Sequence, residues 1–361
     1  MKELLDESTV RAFKSGNCFD FIRYFFAFSL FVVHFCTICD IDQFWFVSGG
    51  TRVKAFFTLS GFLVFYSLAS KRDLRGYIDK RLRRILPAYT AAVLLCLFVG
   101  AVFTTLPLGR FFSEGATWKY LAANLCFLNF LQPTLPGVFE SNPLPFLNGS
   151  LWSMKVEVFF YVTAPVVYYL MTRFNKHAVL LLVYAVCFVY NAWFDHLYAL
   201  TGDARYFHLR VQVGSFIYFY AGVILLVYFR HFMRLRRYVL PLAAVLYFTR
   251  EWVEPFCWVE SLTFACLLVG FAYGVRPLNF LRRFDNVSYG IYLYHFPLIQ
   301  AAVCMGWAAR SMALTFVGCL AATVLLATLS WYGLEKPVLR QRWIAPRRPQ
   351  QAPEALQSVK K

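Results

Sequence analysis

The chain has 361 residues, of which 60% are hydrophobic, 20% aromatic and only 15% charged. Soluble domains are nearer one quarter charged, so the composition argues against a soluble protein and favours one that lies in a lipid bilayer. The net charge of +17 would suit a nucleic acid or another acidic partner, but Lys and Arg form short blocks between apolar runs, which argues against nucleic acid binding.

Along the chain, a polar segment comes first, apolar runs follow, and a polar tail ends the sequence. Residues 1–18 are predicted to be a cytoplasmic N-terminal segment, 19–337 a membrane domain, and 338–361 a disordered cytoplasmic tail. A helix needs about 20 apolar residues to cross the hydrocarbon core. Ten spans are predicted, near 19–39, 53–70, 85–106, 151–171, 178–194, 213–229, 238–250, 256–275, 287–305 and 312–332.

The loops between these spans predict the orientation. With the N-terminus inside, cytoplasmic segments hold 26 of the 36 Lys and Arg residues, and outer segments, counted to include Arg52 and Lys54, hold 8. The positive-inside rule therefore predicts an all-α polytopic protein with both termini in the cytoplasm. The longest outer segment, 107–150, contains five prolines and is expected to fold over an outward-facing cavity.

The first span carries two titratable residues, Arg23 and His34. Charges inside spans cost roughly 2.5–3.5 kcal/mol each on insertion scales, so they are candidates for function. At this spacing the two side chains lie about 16 Å apart along one helix face. This arrangement suits a ligand lying along the helix, although a snorkelling arginine and a structural histidine would give the same pattern.

The basic segment 71–84 precedes the third span and contains Arg81 and Arg84, which share one side of a helix. Two arginines at that spacing can grip phosphates, as a nucleotide-bearing donor such as an acyl-CoA would require. The alternative is that the segment anchors the protein to anionic lipid.

Two further titratable residues lie in later spans. Glu157 is expected at the same depth as His34, where a carboxylate could prepare an imidazole to act as a general base. The alternative for Glu157 is a proton relay. His295 follows Tyr289, Tyr292 and Tyr294 in the ninth span, and a substrate contact and a structural hydrogen bond are equally compatible with that position.

The ten cysteines are mostly single and lie in apolar runs. Cys36 and Cys39 have CxxC spacing, but no second pair completes a zinc site. Neither a metal nor a permanently bound cofactor is predicted.

Six segments resemble motifs of the membrane acyltransferase-3 family, in family order, over most of residues 17–337. Phe21-Ile22 departs from the Gly-Leu that many members have beside the first motif. The six segments are Arg23 with His34, Phe56-Phe57-x-x-Ser60-Gly61, Arg81-x-x-Arg84 followed by Pro87, Gly149-Ser150-Leu151-Trp152 through Glu157 to Tyr161, Ser288 through Tyr292 to Pro297, and Ser330 through Glu335 to Pro337.

This resemblance implies an O-acyltransferase of the bacterial inner membrane. It would take an acyl group, by default acetyl, from cytosolic acyl-CoA as co-substrate to a glycan or glycolipid outside, with polysaccharide-assembly proteins as potential partners. The expected catalytic residues are His34, Glu157 and Arg23, the expected acyl-CoA contacts are Arg81, Arg84 and Arg23, and the expected substrate or cavity residues are Ser60, Trp152, Tyr161, Tyr292 and His295.

Two other classes of function compete with this interpretation. A carrier or flippase could use the buried His, Glu and Arg to bind an anionic substrate, and it would transport without consuming acyl-CoA. The absence of an internal repeat weakens that alternative. A scaffold or sensor would have little reason to place a histidine and a glutamate at one depth inside the membrane.

Overall fold

The computed structural model describes residues 4–5, 7–14, 16–42, 49–71, 73–253 and 258–344. These ranges contain helices and no β-strand. The predictions for the beginning of the eighth span and for most of the tail fall on residues outside them.

Sixteen helices are numbered here in chain order. They are α1 (Glu7–Lys14), α2 (Phe19–Ile38), α3 (Gly49–Lys71), α4 (Leu74–Phe103), α5 (Leu108–Ser113), α6 (Gly115–Leu125), α7 (Trp152–Arg173), α8 (Lys176–Thr201), α9 (Ala204–Gln212), α10 (Phe216–Val227), α11 (Phe229–Phe248), α12 (Glu260–Gly274), α13 (Ser288–Cys304), α14 (Trp307–Arg310), α15 (Met312–Ser330) and α16 (Lys336–Arg340).

Seven helical stretches in the described ranges are long and apolar enough to cross a bilayer, and a bent pair that begins with α12 would be an eighth. The all-α polytopic membrane architecture predicted from the sequence is confirmed. Helices also occupy the two remaining predicted spans, but α11 begins with a basic half and α13 has only 17 residues. The number ten and the orientation therefore stay predictions.

The basic segment before the third span is helical. α4 begins at Leu74 rather than near residue 85, and it continues through Pro87 into the apolar part. Arg and Leu are good helix formers, so this stretch extends the membrane helix outward. Arg81 and Arg84 consequently lie on one side of a continuous helix, as the spacing predicts.

The closest helix packing joins α3 to α10. A Cβ atom on Gly61 would lie 1.9 Å from the carbonyl oxygen of Phe219, and one on Gly222 would lie 2.2 Å from that of Thr58. Glycine allows two helix backbones to approach in this way, which is the usual device for packing helices in a membrane. This contact fixes the position of α3, which contributes one wall of the site described below.

The segment between α4 and α7 is folded against α13. Gln300, which is fully buried, donates hydrogen bonds to the carbonyl oxygens of Leu144 and Phe146, both at 2.7 Å. Asn148 donates to the carbonyl oxygen of Leu293 at 2.9 Å. The predicted outer segment 107–150 is thus attached to the helix that carries His295.

Both ends of the described chain are packed against the helix bundle. The ring of Phe13 in α1 stacks on that of Tyr66 in α3. At the other end, buried Asp79 accepts hydrogen bonds from the backbone N–H groups of Trp343 and Ile344, at 2.8 and 3.0 Å. The segment predicted as a tail from residue 338 therefore begins with a docked stretch that reaches residue 344.

Candidate active site

A cavity of about 150 Å³ lies where α2, α3, α4, α7 and α13 meet. Its lining contains three guanidinium groups and one carboxylate, so its charge favours an anionic ligand. Seven of the ten predicted site residues line it, namely Arg23, Ser60, Arg81, Arg84, Glu157, Tyr161 and Tyr292.

Arg23 lies near the end of α2 that is predicted to face the cytoplasm. Its Nη1 donates to Oδ1 of Asp20, one turn earlier, at 3.3 Å. The same Oδ1 accepts a hydrogen bond from Asn286 at 2.7 Å. Asp20 is therefore shared between the first helix of the membrane domain and the loop before α13, and it fixes the position of the Arg23 guanidinium.

Arg84 is held from behind by the C-terminal part of the chain. Its Nη1 donates to Oε2 of Glu335 at 3.2 Å, and Glu335 is only 1% exposed. The guanidinium lies 5.2 Å from the ring centroid of Tyr289 and 5.6 Å from that of Trp331. Residues 331–335 form a π-helical turn, an irregularity that is frequent at functional sites.

Arg81 lies between two aromatic rings, 5.9 Å from the centroid of Tyr77 and 5.5 Å from that of Tyr161. Cation–π contacts of this kind hold a guanidinium in place without neutralising its charge. Its charge thus remains available to a ligand in the cavity.

Glu157 belongs to the arginine cavity. Its Oε1 accepts a hydrogen bond of 2.5 Å from the hydroxyl of Tyr161, one turn further along α7. Its charge also acts on Arg23. The sequence placed Glu157 at the level of His34 as its supporting carboxylate; in the structure its hydrogen-bond partner is Tyr161, and a different residue pairs with His34.

That residue is His295. Nδ1 of His34 lies 2.7 Å from Nε2 of His295, and the two rings stack with centroids 5.0 Å apart and planes 9° from parallel. Nδ1 of His295 lies 2.8 Å from the carbonyl oxygen of Ile291. His295 is fully buried, whereas His34 is partly exposed.

This chain of hydrogen bonds assigns the tautomers of both rings. A carbonyl oxygen only accepts, so Nδ1 of His295 carries a proton. Nε2 of neutral His295 then accepts from Nδ1–H of His34. The remaining nitrogen of His34, Nε2, is left with a free lone pair and can take a proton from a ligand.

Tyr292 connects the cavity to the histidine pair. It lines the cavity, and its ring centroid lies 6.3 Å from that of His295. Its hydroxyl donates to the carbonyl oxygen of Ser150 at 2.6 Å and lies 2.5 Å from Oγ of Ser153. The ring of Phe56 lies beside it, at 6.2 Å. These two rings form one wall of the cavity, and Tyr292 places that wall beside His295.

Ser60 and Trp152, both predicted as substrate or cavity residues, differ from each other in their surroundings. Ser60 lines the cavity, and its buried Oγ has no hydrogen-bond partner among the described residues. Trp152 instead packs edge-on against Phe57, with centroids 6.5 Å apart.

Sequence reasoning missed the residues that hold the arginines. Asp20 and Glu335 each hold one cavity arginine. Glu335 could have been found, since it lies in a segment that resembles a family motif. Its pairing with Arg84 could not be predicted, because the two residues are 251 positions apart in the sequence. In the described part of the chain no group of three or more His, Cys, Asp or Glu residues is arranged to hold a metal ion.

Comparison with known proteins relates this chain to acyltransferases. A family model described as an acyltransferase domain matches residues 17–332. Nodulation protein 10 of Rhizobium leguminosarum bv. viciae is 26% identical over 80% of this chain and 82% of its own length. The O-acetyl transferase of Shigella phage Sf6 is 26% identical over 90% of this chain and 96% of its own.

A putative peptidoglycan O-acetyltransferase of Bacillus subtilis (strain 168), YrhL, is 25% identical over 82% of this chain. The match covers 51% of that relative, so the present chain spans about half of its length. No solved structure matches the chain significantly.

Proposed function

Because the chain belongs to the acyltransferase-3 family, whose model matches residues 17–332, we propose that it transfers an acetyl group from acetyl-CoA in the cytosol to a hydroxyl group of a glycan or glycolipid outside. The proposed location is a bacterial inner membrane, beside polysaccharide-assembly proteins. The observation that carries the proposal is the pairing of an arginine-lined cavity with a histidine whose Nε2 is free to accept a proton.

The donor site in this proposal is the cavity. Arg81 and Arg84 extend from a helix whose first turns are rich in Lys and Arg, the sequence feature that predicts a cytoplasmic position. Their guanidinium groups suit phosphate oxygens, and Arg23 lies further along, at the acyl end of the donor. The thioester then lies towards Tyr292 and the histidine pair.

The reaction centre in this proposal is Nε2 of His34. This nitrogen takes the proton of the acceptor hydroxyl as the oxygen attacks the thioester carbonyl carbon. The resulting tetrahedral intermediate collapses, the C–S bond breaks, and the thiolate of CoA receives the proton from His34. A route in which His34 carries the acyl group transiently would use the same nitrogen.

The role of His295 in this proposal is to fix the tautomer of His34. A general base contributes about 10²–10⁴-fold to a rate, so His34→Ala should lose at least about 100-fold. His295→Phe keeps a ring in the buried position but removes the acceptor for Nδ1–H, and it should lose less than His34→Ala. His196, an exposed histidine at the end of α8, provides the control variant His196→Ala.

The test uses the purified chain in lipid nanodiscs with radiolabelled acetyl-CoA and a bacterial glycolipid extract. We expect label on the glycolipid with wild type and His196→Ala, and background label with His34→Ala at unchanged thermal stability. Equal labelling by His34→Ala would refute the proposal. Uptake of an anionic solute into liposomes without consumption of acetyl-CoA would instead favour a carrier.

A further inference from the structure

Arg52 is the largest side chain that is fully buried in the described part of the chain. It lies in the first turn of α3, although the sequence counts it with an outer loop. Its Nε donates to Oγ of Ser29 at 2.6 Å. Both Nη atoms are buried, and no described residue accepts a hydrogen bond from either of them.

An arginine with two unpaired nitrogens in a protein interior is costly. Burying a charge without full compensation carries a large desolvation penalty. Lys54, two residues further along α3, avoids this cost, because it is partly exposed and donates to Oε1 of Glu260 at 2.9 Å. Arg52 has no such carboxylate among the described residues, so its burial calls for an explanation other than stability.

The surroundings of Arg52 point to the reaction centre. Its charge acts on the imidazole of His34 and on the thiol of Cys36. Ser29 and His34 are five residues apart on α2, about 7.5 Å in height and about 140° around the helix axis. On α3, Arg52 lies one turn before Phe56, which lines the cavity, and so shares a side of that helix with it. The guanidinium is therefore packed along the half of α2 that contains the proposed general base.

We propose that Arg52 stabilises the negatively charged oxygen that forms during acyl transfer. This inference rests on the proposed function. When the acceptor oxygen bonds to the thioester carbon and its proton moves to Nε2 of His34, the carbonyl π-electron pair moves onto the carbonyl oxygen. The two free Nη groups of Arg52 donate to that oxygen until the C=O bond re-forms and the C–S bond breaks.

This role predicts a combination of effects that a structural arginine would not give. Arg52→Met removes the donors, and loss of one donor of this kind typically lowers kcat by about 10²–10³-fold. The KM for acetyl-CoA should stay within about twofold of wild type, because the interaction forms only in the transition state. The Tm should be equal or higher, because an apolar side chain replaces an uncompensated buried charge.

The test measures kcat, KM for acetyl-CoA and Tm for wild type, Arg52→Met, Arg52→Lys and Lys54→Met in nanodiscs. Release of CoA thiol without glycan, with water as the acceptor, is assayed beside transfer to the glycolipid extract. We expect Arg52→Met to lose both reactions, Arg52→Lys to retain an intermediate rate, and Lys54→Met to match wild type.

Three results would overturn the inference. These are an unchanged kcat in Arg52→Met, a loss that merely follows a lower Tm, and a loss confined to the KM for the glycolipid, which would make Arg52 a contact for an anionic acceptor. If Arg52→Met does not fold, a wild-type rate in Arg52→Lys would overturn the inference instead. Absence of transfer by wild type itself would instead refute the proposed function.

Discussion

Glu335 connects the last part of the described chain to the arginine cavity, because its carboxylate accepts a hydrogen bond from Arg84. At 1% exposure it is shielded from water, so its attraction to Arg84 is screened less than that of an ion pair on the surface. The hydrogen bond holds the guanidinium of Arg84 near two aromatic rings, where it faces the cavity.

A change at this position should therefore affect donor binding. Glu335→Gln keeps the shape of the side chain but removes its charge, and we expect the KM for acetyl-CoA to rise about tenfold, the equivalent of one charged hydrogen bond, with a smaller change in kcat. Glu114→Gln, which removes the partner of the exposed Arg110, is the matched control. Steady-state kinetics on both variants checks this, and equal KM values would contradict it.

Sequence reasoning found the charged groups of the site but not all of their pairings. An arginine or a glutamate inside an apolar run is recognisable from its cost alone, and Arg23 and Glu157 do line one cavity. Depth along a helix says nothing about which neighbouring helix the side chain faces. For that reason the partner of His34 was expected on α7, whereas the structure has it on α13.

Arg52 was missed for a different reason. The predicted second span began at residue 53, so an arginine just before it was counted as a loop residue. The helix begins at residue 49 and places Arg52 inside the protein. An error of a few residues at a helix end, common in sequence-based assignment, therefore concealed a fully buried charge.

At the scale of helices, the contact between α3 and α10 positions one wall of the cavity. Gly61 lies in the segment that resembles a family motif, and the structure gives a packing reason for its identity. Its missing side chain lets the carbonyl oxygen of Phe219 approach, and Ser60, its neighbour, lines the cavity. A shift of α3 would move that wall.

Gly61→Ala should accordingly destabilise the protein, although alanine normally favours a helix by about 1 kcal/mol over glycine. The added Cβ would overlap backbone atoms that have no rotamer to change, and overpacking typically costs about 1–3 kcal/mol. Gly318→Ala in α15, where nothing lies within 4 Å of the added atom, should be neutral or stabilising. Thermal unfolding in detergent compares the two, and equal Tm values would contradict the packing argument.

The helix boundaries differ from prediction where basic residues adjoin apolar ones. Hydropathy predicted spans beginning at 85 and 238, whereas α4 and α11 begin at Leu74 and Phe229. Arginine favours helix, and its long side chain can keep its charge in the head-group region while its backbone continues the helix. Composition identifies the apolar part of such a helix and omits the polar part.

At the scale of the whole molecule, the proposed reaction requires opposite ends of the fold to face opposite compartments. Cys126, in the predicted outer segment, and Cys304, at the end of α13, are both exposed. The predicted orientation places both outside and places Gln341, beside the docked C-terminal stretch, in the cytoplasm.

Labelling with a membrane-impermeant maleimide tests this orientation. In variants that each retain one cysteine, we expect Cys126 and Cys304 to react in intact cells, and Gln341→Cys to react only after permeabilisation, because the reagent cannot reach the cytoplasm. Reaction of Gln341→Cys in intact cells, or protection of Cys304 beside a reactive Cys126, would exclude the predicted topology.

The aromatic wall formed by Phe56 and Tyr292 has a further consequence for the cell. A membrane that stores energy as a proton gradient cannot tolerate a continuous column of water through one of its proteins. Tyr292 borders both the arginine cavity and His295 and is held by hydrogen bonds to Ser150 and Ser153, so its ring narrows the route by which water could pass from the cavity to the histidines. A narrow route of this kind limits the proton leak that a polar chamber deep in the bilayer would otherwise cause.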